Sequence, residues 1–66
     1  MLKEYEVVSL KRTVPSIPLP QGTQGTIVFV YASHPSVYEV EFVNETGETL
    51  GIYTVEEKDL EVVGAR

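Results

Sequence analysis

The sequence predicts a small all-β domain built from five short strands. Three observations carry this. Runs rich in β-branched and aromatic residues recur along the chain. Gly, Pro, Asn and Ser clusters separate them. No stretch shows the helical period over the length a stable helix needs.

Glu4 to Leu10, EYEVVSL, reads as the first strand. Lys11 to Pro20, KRTVPSIPLP, follows with three of the four prolines and no helical periodicity, so it reads as a long irregular connection. Gly22 to Ala32, GTQGTIVFVYA, is a second strand whose nearly continuous apolar run predicts burial on much of both faces. Gly25 suits a bulge or a sharp bend at its entrance. Ser33 to Ser36 forms a turn. Val37 to Val43, VYEVEFV, then alternates cleanly, with Tyr38, Val40 and Phe42 on one face and Glu39 and Glu41 on the other.

Asn44 to Glu48 is expected to be a hairpin loop with Gly47 at positive φ. Thr49 to Val55 is the fourth strand. Glu56 to Leu60 fits a single 3-10 turn, and Glu61 to Val63 the last strand. Five strands with a long first loop, a tight hairpin between the third and fourth, and a 3-10 turn before the fifth are the plan of an SH3-like barrel. A five-stranded oligonucleotide-binding barrel is the rival, but it usually needs a longer chain and a helix between strands three and four.

At 66 residues the chain is one domain, 1–66, near the lower size at which a polypeptide folds unaided. It has no cysteine, so neither a disulfide framework nor a thiolate metal site supplements the core. The N-terminus lacks the apolar run of a signal peptide, and no segment approaches the ~20 apolar residues of a membrane span. These features favour a soluble cytoplasmic protein. Ten Asp and Glu against five Lys and Arg give a formal charge of −5. Nucleic-acid binders need a cationic face, so the balance argues against that partner and makes a basic protein the natural one.

The stretches GTQGTIVFVY, YEVEFVNETGETL and DL resemble, at Gly22, Gly25 to Val28, Tyr38 to Phe42, Thr46 to Thr49 and Asp59-Leu60, a family of short acidic bacterial proteins known only as a domain of unknown function, DUF4926. The resemblance covers nearly the whole chain. It implies an SH3-like fold and a link to toxin–antitoxin or similar neighbouring-gene pairs, with no established activity and no catalytic residue to carry over. A looser similarity in plan extends to KOW-type ribosomal and transcription-factor domains and to the small stromal subunit of photosystem I, PsaE. The first would make the chain a nucleic-acid module, but it lacks their basic surface. The second would make it an accessory subunit of a larger assembly, by architectural analogy alone.

No residue set points to catalysis, a metal or a cofactor. His34 is the sole histidine and sits in a turn without an orienting third group, which reads as an exposed turn residue. Glu39 and Glu41 are spaced roughly 7 Å apart by two residues of strand rise, but a chain this short has few loops to build a cleft around them. They read as a solvated outer face or as an acidic contact patch with Glu45, Glu48, Glu56 and Glu57 as neighbours. Phe29 and Tyr31 share a strand face. They are either exposed anchors of a protein-recognition surface or covered because the second strand is bent and the long loop lies over it. The candidate protein-binding residues are therefore Phe29, Tyr31, Glu39 and Glu41, with Tyr53 if its side of strand four is open.

Arg12-x-x-Pro15-x-x-Pro18 spells a peptide ligand of SH3 domains. Such a ligand must be extended and accessible. This segment is tethered at both ends and carries Val14, Ile17 and Leu19, so it is expected to be a structural loop covering one end of the barrel.

Overall fold

The computed structural model describes residues 2–32 and 35–63. Five strands form one antiparallel sheet: β1 (Val7–Leu10), β2 (Gln24–Tyr31), β3 (Val37–Val43), β4 (Thr49–Glu56) and β5 (Leu60–Val62). A 3-10 turn, Glu57–Asp59, precedes β5 as predicted. The spatial order is β4-β3-β2-β1-β5.

That order forces curvature. Strands at opposite edges of a flat five-stranded sheet lie roughly 19 Å apart at about 4.8 Å per neighbour. The link from Glu56 to Leu60 spans at most about 14 Å even if extended, and a 3-10 turn shortens it further. The sheet therefore curls until its two edges approach, an open arrangement compatible with an SH3-like barrel.

One side of the curled sheet is the core: Val8, Leu10, Ile17, Ile27, Tyr38, Val40, Phe42, Val55 and Leu60. β3 supplies three of these on strict alternation, as its pattern predicts. Each such side chain contributes about 1.5–3 kcal/mol by leaving water.

Gly25 has a different role from the expected bulge. A Cβ there would lie 2.7 Å from the Glu41 carbonyl oxygen and 2.8 Å from Val40 Cγ1, so glycine is required for close approach of β2 to β3. The bulge falls three residues later. Ile27 pairs with Val40 and Phe29 with Glu39, which leaves Val28 as the extra residue.

The first strand is shorter than its composition suggests. Glu6 N–H donates to the Lys3 carbonyl at 3.2 Å, and Tyr5 has φ of 71°, so residues 3–6 form a turn before β1 begins. This arm is fastened by Tyr5 N–H to the Ile27 carbonyl and Ile27 N–H to the Glu6 carbonyl.

The proline-rich loop is a structural element. Ile17 is 4% exposed, and Val14 and Leu19 pack against the core. Ile17 N–H donates to the Val14 carbonyl at 2.9 Å, which bends the segment and breaks up the polyproline helix a ligand would need. Arg12 Nη1 donates to Asp59 Oδ1 at 2.6 Å and to the Lys58 carbonyl, tying the loop to the 3-10 turn. That contact also satisfies the largely buried Asp59.

The β3–β4 hairpin follows expectation. Gly47 has φ of 88°, and Asn44 Oδ1 accepts from the N–H groups of Thr46 and Glu48. The predicted turn at Ser33 and His34 lies outside the described residues.

Candidate protein-binding face

The side of the sheet opposite the core is assembled by register. Val7, Thr26, Glu41 and Ile52 form one row across four strands. Phe29, Glu39 and Thr54 form the next, followed by Tyr31, Val37 and Glu56. Without the Val28 bulge, Phe29 would fall on the core side, since Ile27 and Val30 both face inward. The bulge turns the aromatic pair outward. Phe29 is 51% exposed and Tyr31 38%. Their rings meet edge to face, with centroids 4.9 Å apart, a favourable aromatic geometry.

The two central carboxylates are held by hydroxyls. Tyr31 Oη donates to Glu39 Oε2 at 2.5 Å and Thr54 Oγ1 donates to the same oxygen at 2.7 Å, which fixes Glu39 between β2 and β4. Thr49 Oγ1 donates to Glu41 Oε2 at 2.7 Å. The bond to Glu39 raises the Tyr31 pKa above its ordinary 10.0, with desolvation and the Glu39 charge acting in the same direction. Tyr31 therefore stays a donor at neutral pH.

Phe29, Tyr31, Glu39 and Glu41, four of the residues expected to bind, thus share one face. Tyr53 does not join them. It pairs with Val40 on the inner side, packs partly buried against the core with its ring centroid 6.3 Å from that of Phe42, and lies against Gly51. Alternation along β4 turns its neighbours Ile52 and Thr54 outward instead.

Ile52, 57% exposed and opposite Glu41, adds apolar surface to the face. Leu50 is also exposed, but it is the unpaired residue between Gly51, opposite Phe42, and Thr49, opposite Val43, and it lines the depression beside the hairpin. The signal in the sequence was the shared parity of Ile52, Thr54 and Glu56, since a charged residue in phase with them marks that side as the outer one. Glu56 stands at the margin of the face, 3.7 Å from Lys58 Nζ. Glu57 leaves the expected acidic patch, because Oε1 accepts the Tyr38 phenol at 2.7 Å. Glu48 is engaged by Asn44 in the hairpin. His34 lies outside the described residues.

β2, β3 and β4 contain no Lys or Arg. The face therefore presents carboxylates among exposed aromatic and aliphatic side chains, with no cation on its strands. Two open depressions flank β4, one of about 620 Å³ beside the hairpin at Gln21, Asn44 and Leu50, the other of about 350 Å³ between the first loop, the end of β4 and the 3-10 turn. Among the described residues, no helix is long and apolar enough to cross a membrane.

Fold and face together describe a small curled antiparallel sheet whose outer side is apolar and anionic. The family described as Domain of unknown function (DUF4926) matches residues 4–62, and the chain belongs to that family. No curated protein and no solved structure gives a significant match.

Proposed function

We propose that this chain is a small non-enzymatic module that binds a basic protein through the outer side of β2, β3 and β4, and that it serves as the antitoxin or immunity partner of a toxin encoded beside it. The supporting observation is that Glu39 and Glu41 lie among exposed Phe29, Tyr31 and Ile52 on strands devoid of Lys and Arg. Stiff apolar anchors supply affinity at such a surface, and uncompensated charge selects a partner of opposite sign.

Co-expression with the product of the adjacent gene tests this. The expected result is a complex that survives purification, is lost on Ile52→Asp, and relieves toxicity of the neighbour expressed alone. Normal growth with the neighbour alone removes the antitoxin role. A complex unaffected by Ile52→Asp removes the face.

A further inference from the structure

We infer that the corner made by Phe29, Tyr31 and Glu39 is a subsite for an arginine side chain of the basic partner, an inference that rests on the protein-binding reading above. The partner group must satisfy two surfaces at once. One is the exposed ring pair, whose faces attract a cation. The other is the Glu39 carboxylate, directly opposite Phe29 in the register.

The carboxylate is prepared for a further donor. Both hydroxyls that hold it, Tyr31 Oη and Thr54 Oγ1, converge on Oε2. Oε1 has no donor among the described residues. Glu41, on the same side of β3, adds negative charge two residues away.

A guanidinium suits this combination better than an ammonium. It is planar and weakly hydrated, so it stacks on an aromatic ring while its N–H groups remain free in the plane for a carboxylate. Lysine presents a compact, strongly hydrated charge that gives up more hydration against the rings.

Amide NMR titration of the intact chain with N-acetyl-arginine amide and N-acetyl-lysine amide tests the subsite directly. Arginine is expected to cause saturable shifts centred on Phe29, Tyr31 and Glu39, with lysine binding about fivefold more weakly. Glu39→Gln and Phe29→Ala, both on the outer side, should abolish the response while leaving the rest of the spectrum in place. Equal responses to the two probes, shifts centred elsewhere, or no saturable shift would overturn the inference. Capture of the neighbouring gene product separates the two levels. Loss with Ile52→Asp but full retention with Glu39→Gln overturns the arginine subsite and keeps the face, retention with both overturns the face, and failure of the unaltered chain to capture the neighbour overturns the protein-binding reading itself.

Discussion

Tyr38 Oη donates to Glu57 Oε1 at 2.7 Å and accepts the Leu2 N–H at 3.0 Å, so one fully buried phenol joins the third strand, the 3-10 turn and the N-terminal arm. Tyr38→Phe keeps the ring and removes both bonds. The expected loss is about 1–2 kcal/mol of unfolding free energy, since a neutral–charged bond goes and the arm loses its anchor. Urea denaturation reads it directly, and a midpoint equal to that of the unaltered protein would refute the anchoring role.

The same phenol makes stability depend on alkaline pH. Burial, aided by the bond to Glu57, raises the Tyr38 pKa above its ordinary 10.0. The native state thus holds this proton more tightly than the unfolded chain does. The resulting stabilisation is complete below the unfolded value near 10 and is lost as pH rises through the native value. The stability gap between the unaltered protein and Tyr38→Phe should therefore be widest at neutral pH and narrow above pH ~10. A gap that widens there would reverse the sign.

Gly25→Ala tests the close approach of β2 and β3. The new methyl meets the Glu41 carbonyl at 2.7 Å, and backbone cannot swing aside as a side chain can. A loss of about 1–3 kcal/mol is expected. Thermal melting at or above the unaltered midpoint would show that the strands separate without cost.

Ile17→Ala addresses the proline-rich loop. Removing a buried isoleucine should cost about 2–4 kcal/mol, while Pro18→Ala, at an exposed position, should cost no more than about 0.5 kcal/mol. The reverse order in chemical denaturation would mean that the prolines, not the apolar residues, give the loop its value.

Phe29→Ala and Ile52→Ala should separate stability from binding. Both side chains are more than half exposed, so unfolding free energy should change by no more than about 0.5 kcal/mol. Affinity for the captured partner should fall about tenfold or more, as for apolar anchors at an interface. Calorimetry on the purified complex measures it, and unchanged affinity for both variants would place the contact elsewhere.

Much of this fold was legible because local pattern and tertiary role agree. β3 alternates in sequence and in space, and Asn44 and Gly47 announce their hairpin through chemistry that needs no distant partner. What escaped was set by long-range pairing. The bulge at Val28 arises from how β2 fits β3, and no residue type marks it. Gly25 does carry a signal, but a bulge and a close approach look alike in sequence. Tyr53 was ambiguous for a related reason: Leu50, Ile52, Tyr53 and Val55 give β4 apolar residues on both sides, and only the charge at Glu56 distinguishes them. The turn at Tyr5 was hidden because Glu4-Tyr5-Glu6 has the composition of a strand.

The absence of lysine and arginine from β2, β3 and β4 also governs how the molecule meets reagents. Trypsin has no cleavage site between Arg12 and Lys58, so nearly the whole binding surface leaves a digest in a single peptide. Amine-directed dyes and coupling resins find the side chains of Lys3, Lys11 and Lys58 in this sequence, none of which is on β2, β3 or β4. Coupling through Lys3 or Lys11 keeps clear of β2, β3 and β4, coupling through Lys58 reaches the margin of that surface at Glu56, and carbodiimide chemistry at the glutamates is the way to footprint it.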